Sequence, residues 1–221
     1  MGLPMSAVRV TEALDYFKQP WYVDWVLRTF AKQFKKHPDV EKAQKFAMRD
    51  LRRICDEATD IGSRVDELIK EAFSPMSQTA TPMPTATKKD SPEVHMAITA
   101  FCKWYEVYQP KRITPLTRLS KNFYGLDLTG EPDLDVDGVT VDIKCAKRMS
   151  LGYWVQVNVY RFLQGGGGKV GILRLDKETG SYEYVVKDYD AGLVDVWVGL
   201  ARAMEYFKGE QGDGGLDVQE E

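Results

Sequence analysis

The chain has 221 residues, 43% hydrophobic and 29% charged, the make-up of an ordinary globular fold with a core of its own. A formal charge of −3 excludes a strongly basic protein, though a local basic surface is enough for transient binding of an anionic partner. There is no charged-apolar-small leader at Met1 and no apolar run of bilayer length, so the expectation is a cytoplasmic protein with no membrane part. Cys55, Cys102 and Cys145 are odd in number and widely spaced. No pair has zinc-ligand spacing, and three thiols cannot hold a four-cysteine iron–sulfur cluster, so reduced thiols are expected.

Val8 to Phe17 opens the chain, with Thr11 as the expected N-cap. Trp21 to Lys36 reads as an amphipathic helix stopped by His37-Pro38. From Val40 to Phe73, Leu51, Ile54, Ala58, Ile61, Val65, Leu68 and Ala72 recur at steps of three and four, an apolar helical stripe. A single helix and a break near Gly62 are both open. Ser74 to Pro92 turns to Thr, Pro, Ser and Ala and reads as a flexible loop or linker, with a mobile flap over a substrate channel as the sharper alternative. The expected division is therefore 1–73 helical, 74–92 linker, 93–209 core and 210–221 a frayed tail. Val94 to Tyr108 returns to helix. Strands are expected over Ile113 to Leu119, Phe123 to Asp127, Glu131 to Val136 and Val139 to Cys145. Lys169 to Leu175 and Tyr182 to Lys187 form a later pair, and Ala191 to Phe207 a closing helix.

Asp137-Gly138 between two alternating segments is a strong signal for a two-residue hairpin turn. Counting outward pairs Val136 with Val139, Asp135 with Thr140, Leu134 with Val141, Asp133 with Asp142 and Glu131 with Lys144. Leu134, Val136, Val139, Val141 and Ile143 then share an apolar face, and Glu131, Asp133, Asp135, Thr140, Asp142 and Lys144 a polar one. Asp133 and Asp142 would stand with Cβ atoms roughly 5 Å apart, a repulsive pair. A divalent cation offsets that repulsion, because carboxylate oxygens suit Mg²⁺ and Mn²⁺. Lys144 follows on the same face. Two carboxylates and a lysine around a metal suit phosphodiester hydrolysis; a solvated hairpin face with incidental charges is the plain alternative.

Gly130-Glu131-Pro132-Asp133, then Asp142-Ile143-Lys144, then Gln156 and Tyr160, resembles the GxxD, DxK, QxxxY signature of the RecB-like family of PD-(D/E)xK nucleases. That family belongs to the lambda exonuclease superfamily. Val10 to Leu14, Pro20-Trp21, Trp25 and Gly62-Ser63-Arg64-Val65-Asp66 are similar to the opening of its phage-borne members. The resemblance implies an α/β restriction-endonuclease-like fold: a mixed sheet flanked by helices, with an N-terminal helical region. It implies Mg²⁺ or Mn²⁺ held by Asp133, Asp142 and the Ile143 carbonyl, a Lys144 that positions or polarises the attacking water, and a Gln156 and Tyr160 that contact the scissile phosphate region and help hold the lysine.

The family has a histidine where this chain has Asp66, an expected further metal ligand that shifts preference from Mn²⁺ towards Mg²⁺; a surface helix aspartate is the plain alternative, with Glu67, Glu57 and Asp60 as fallback ligands. Periodicity around Gln156 favours a strand, while the family places the segment on a helix; the helix is adopted, with Gly165 to Gly168 as its stop. His95 is expected to be structural or at the surface. Lys147, Arg148, Arg161, Arg118 and Lys121, with Lys111 and Arg112 beside them and Trp154, Tyr153 and Tyr124 as stacking surfaces, are the expected DNA contacts. The implied activity is DNA hydrolysis, by an exonuclease of phage or bacterial recombination (in the host cytoplasm if phage-encoded). A homo-oligomer or a recombination partner protein is compatible with this. An endonuclease, a Cas-type nuclease and a decayed nucleic-acid-binding relative are the alternatives, with a tethered interaction domain as a different class.

Overall fold

The structure is a computed structural model, and it describes residues 8–16, 20–74, 83–123 and 125–213. It is a mixed α/β, restriction-endonuclease-like fold with two sheets flanked by helices. The helices are α1 (Val10–Tyr16), α2 (Pro20–Lys36), α3 (Val40–Ala72), α4 (Pro92–Tyr108), α5 (Leu151–Leu163) and α6 (Ala191–Asp213). Among the described residues, no helix is long and apolar enough to cross a membrane.

The larger sheet has the order β2-β5-β6-β7-β8, formed by β2 (Ile113–Pro115), β5 (Leu134–Val136), β6 (Val139–Lys144), β7 (Lys169–Leu175) and β8 (Tyr182–Asp188). The β6–β7 pair is parallel and the other pairs are antiparallel. The β6–α5–β7 crossover accounts for that, since parallel neighbours need a long connection. The smaller sheet, β1-β4-β3, comprises β1 (Val8–Arg9), β4 (Leu126–Gly130) and β3 (Leu119–Phe123).

One face of the larger sheet packs on α3 and α4. There Val65, Ile69, Phe101 and Trp104 meet Leu134, Val136, Val141 and Leu173 in one buried cluster. The other face is covered by α5, whose residues Val155 to Tyr160 are all buried. A helix buried all round needs covering elements on every side; Val157 meets β7, while Val155, Val159 and Tyr160 meet α6 and the smaller sheet.

Several expectations change. Val8–Arg9 form a strand parallel to Leu128–Thr129, and α1 starts at Val10, so Thr11 lies inside the helix and caps nothing; Phe17 lies outside the described residues. α3 runs unbroken through Gly62, from Asp39, whose carboxylate accepts from the Lys42 N–H, to Phe73. The expected strand Phe123 to Asp127 spans a turn at Gly125, with φ 81°, and the residues on either side pair as the β3–β4 hairpin. The second half of the stretch read as a linker is anchored. Pro84 is buried, and Arg64 Nε donates to Asp90 Oδ1 at 2.7 Å. His95 Nε2 lies 2.9 Å from the Thr87 carbonyl, a structural contact. Residues 75–82 and 214–221, and with them much of the expected linker and tail, lie outside the described residues.

Candidate active site

The hairpin has the expected register: Leu134 faces Val141, Asp135 faces Thr140 and Val136 faces Val139. Asp137 and Gly138 both have positive φ, 51° and 87°, the backbone that a two-residue primed turn requires. Pairing ends at Leu134. Beyond it Pro132 has no N–H to offer a ladder, and the Asp133 carboxylate takes over by accepting the Ile143 N–H at 2.6 Å. Glu131 consequently does not face Lys144. It turns to Lys70 Nζ at 3.2 Å and to Arg118 at 3.6 Å.

The polar face of the hairpin is solvated at Glu131 but not at its centre. Thr140 and Asp142 are 0% and 1% exposed, covered by α5. Asp142 Oδ2 stands 2.8 Å from Lys144 Nζ, and the ammonium lies 5.3 Å from the centre of the Tyr153 ring. Asp142, Lys144 and Asp133 join Gly62, Ser63 and Asp66 of α3, with Tyr153 and Gln156 of α5, around one cavity of about 520 Å³. The structure thus brings together Asp133, Asp142, Ile143, Lys144, Asp66 and Gln156. Tyr160 lines the adjoining hollow with Arg9, Arg118 and Glu131, and its hydroxyl accepts from Gln156 Nε2 at 2.8 Å. A Cβ on Gly130 would stand 2.7 Å from that ring, closer than carbon atoms pack, which explains a glycine at the start of the GxxD segment.

Burial drives the electrostatics. Loss of water, with the charge of Asp142 beside it, pushes the Asp133 carboxyl up to about 8. Asp142 is raised by burial, against the pull of Lys144. Burial alone would depress the Lys144 ammonium, but the charges of Asp142 and Asp133 outweigh it and hold the group above the ordinary lysine value. Burial also raises the Tyr160 phenol and pushes the Cys145 thiol, which lines the cavity, up to about 11. At neutral pH Lys144 is a fixed cation and Tyr160 a neutral hydroxyl.

Sequence reasoning passes over Lys70. It lies one turn after Asp66 on α3, and its Nζ is 2.8 Å from Asp66 Oδ2. The spacing of four was the available signal; the contact with Glu131, 61 positions away, was not readable. Each acidic ligand candidate therefore leans on a cation or an N–H: Asp142 on Lys144, Asp66 on Lys70, Asp133 on the Ile143 amide. As these side chains stand, no three His, Cys, Asp or Glu among the described residues converge on one ion position. Yet Asp142 Oδ1 and Asp66 Oδ1 are buried without a hydrogen-bond partner among the described residues. Buried oxygens of that kind are costly unless something else satisfies them. An all-oxygen donor set beside a polar cavity fits a hard divalent ion.

The expected DNA contacts are dispersed. Arg161 folds back, with Nε donating to the Gly167 carbonyl at 2.6 Å and Nη1 near Thr140 and Gln164. Lys121 caps the Phe162 ring at 4.2 Å, and Lys187 caps Trp154 at 4.0 Å. Lys147 pairs with Glu178 at 2.7 Å, and Arg148 is exposed. Only Arg118, through Glu131 and the hollow it lines, borders the site among these six. Tyr124 lies outside the described residues.

No family model and no curated protein matches the chain. Solved structures similar to it include an alkaline exonuclease, LHK-Exo, from Laribacter hongkongensis, at 13% identity over 93% of each chain with a TM-score of 0.43. A phage related exonuclease from Haemophilus somnus 129PT is 15% identical over 67% of this chain and 94% of its own, with a TM-score of 0.34. SSO0001 is 10% identical over 94% of this chain and 78% of its own, with a TM-score of 0.41. Likenesses this distant leave the functional argument to the residues themselves.

Proposed function

We propose that this protein is a metal-dependent DNA nuclease of the PD-(D/E)xK type, an exonuclease of phage or bacterial recombination. The observation that carries the reading is the pair of buried, unpartnered carboxylate oxygens, one on α3 and one on β6, lining one cavity with Asp133 and Lys144. Asp133, Asp142 and Asp66, with the Ile143 carbonyl, would hold Mg²⁺ or Mn²⁺. When bound, such an ion withdraws charge from a phosphoryl oxygen and lowers the pKa of a coordinated water.

The chain's own residues do the rest. Lys144, held beside Asp142 at 2.8 Å, is placed to orient water and to balance charge growing on phosphoryl oxygens as a cation and hydrogen-bond donor. Tyr153 beneath it excludes water from one side and limits its swing. Gln156 holds the Tyr160 hydroxyl, and Tyr160 offers that neutral donor to the hollow shared with Arg9 and Arg118, where a backbone phosphate next to the scissile one can lie. Lys70 keeps Asp66 and Glu131 from repelling each other across the mouth.

Linear and closed-circular DNA incubated with Mg²⁺ or Mn²⁺, with Lys144→Ala as control, tests the reading. Loss of the linear form alone is the expected result. Loss of both forms makes the enzyme an endonuclease. Retained binding with neither form lost identifies a decayed relative and rejects catalysis.

A further inference from the structure

α2 and the first half of α3 form a helical hairpin whose charge is opposite to that of the whole chain. Residues 20–56 carry nine Lys or Arg against five Asp or Glu, a local charge of +4 in a protein of −3. The hairpin is closed by Ala43, Ala47 and Leu51 on the inner face of α3 and by Gln33 Nε2 donating to Asp50 Oδ2 at 2.6 Å. Lys42, Lys45, Arg49 and Arg52 recur at steps of three, four and three, so they share one face of α3, and all four are exposed. Lys45, Arg49, Arg52 and Arg53 line a single open groove of about 640 Å³ floored by Phe46 and Met48. The Arg49 guanidinium lies 4.9 Å from the Phe46 ring. Arg53 is tied to Glu57 at 2.7 Å, and Asp56 and Asp60 close the end nearer the site.

An exposed row of cations on a rigid helix, over an aromatic floor, complements a polyanion of regular charge spacing. The same unbroken helix goes on to supply Gly62, Ser63 and Asp66 to the candidate active site. Folding alone does not call for such a stripe, because like charges at these spacings repel. We infer that the α2–α3 hairpin is a second DNA-backbone contact, outside the active site, which grips the duplex at a fixed distance from the bond being cut. The inference rests on the nuclease reading and adds to it a length requirement on the substrate. At 1.5 Å per residue, Arg52 and Lys45 stand about 21 and 31 Å along the helix axis from Asp66. With one base pair every 3.4 Å, the grip falls roughly six to nine base pairs from the scissile phosphate.

The test is fluorescence anisotropy without divalent ions, using a 20-base-pair duplex and a hairpin with a stem of 5 base pairs. Both are titrated with wild type and with the exposed triple variant Lys45→Gln, Arg49→Gln, Arg52→Gln, at several salt concentrations. The wild type should bind the long duplex at least about tenfold more tightly than the short stem. The variant should lose that advantage, with the slope of log affinity against log salt shallower by roughly 2 to 3. Unchanged affinity and slope in a variant with the wild-type circular dichroism spectrum overturn the inference, as does equal binding of the two DNAs by the wild type. So does loss in the variant of binding to vesicles containing phosphatidylserine while duplex binding is kept, which assigns the stripe to a membrane surface. Failure of the nuclease reading itself shows separately, as no Lys144-dependent loss of linear DNA.

Discussion

The two halves of α3 share a backbone geometry and little else. From Ile61 to Ala72 the helix lies against the sheet, with Val65 and Ile69 both fully buried, and it delivers Asp66 to the cavity. From residue 52 to residue 60 every side chain is exposed, Ile54 included at 40%, and the turns before that pack on α2, with Gln33 Nε2 donating to Asp50. The apolar stripe read from the sequence runs through both halves, but only one half has a sheet to meet. A stripe states what a helix can bury; the topology decides which part of it does.

That contrast can be broken or sharpened by substitution. Ile69→Ala should cost roughly 2 to 5 kcal/mol in urea unfolding, because a fully enclosed side chain leaves a cavity. Ile54→Ala, on the exposed half of the helix, should stay within about 0.5 kcal/mol. Equal losses at the two sites would show that the exposed half is covered in solution.

A smaller effect comes from pH. The Asp133 carboxyl sits at about 8 in the folded protein and near the ordinary 3.9 in the unfolded chain. The folded state therefore binds the extra proton, and the stability this group contributes below about pH 4 is lost as pH rises towards 8. Thermal melts without divalent ions should fall between pH 6 and pH 8. Added Mn²⁺ should raise the melting temperature more at pH 8, and Asp133→Asn should flatten the slope. A melting temperature that climbs over that window would contradict the burial of this carboxyl.

Glycine separates the two regions as well. A Cβ at Gly130 meets the Tyr160 ring, whereas at Gly62 it meets nothing within 4 Å. Gly62→Ala should therefore add up to about 1 kcal/mol through helix propensity, while Gly130→Ala should displace Tyr160 and lower the melting temperature. The least effect is expected of Asp66→His, which should move metal preference towards Mn²⁺ at similar stability; activity measured with each ion checks it, and an unchanged ratio rejects the role of Asp66 as a ligand.

Sequence alone made the β5–β6 hairpin readable, because a period of two on both strands and the Asp137-Gly138 turn agree on one register. The β3–β4 hairpin was missed, since Gly125 turns without an Asn-Gly or Asp-Gly pair, and β1 is two residues long, below any periodic signal. Alternating valines from Val155 to Val159 imitate a strand because α5 is enclosed on all sides, so its burial carries no helical period. At the site, Asp142 and Lys144 follow from local counting, whereas Asp133 lies beyond the last ladder pair, Leu134 with Val141, and is placed by its bond to the Ile143 N–H instead of by the counted pairing with Asp142. Their neighbours Asp66, Lys70 and Gln156 come from other elements, and only the fold sets which charge meets which. The cationic row on α3 was visible as spacing, but in a chain with 29% charged residues it stood out only once the helix proved continuous.

The most direct trial is calorimetric titration of Mn²⁺ into the protein and into Asp142→Asn, each with and without a DNA duplex. Uptake of one or two ions by the wild type is expected, strongest with DNA present, with its loss in the variant. No uptake in any condition, or equal uptake by both proteins, would contradict it.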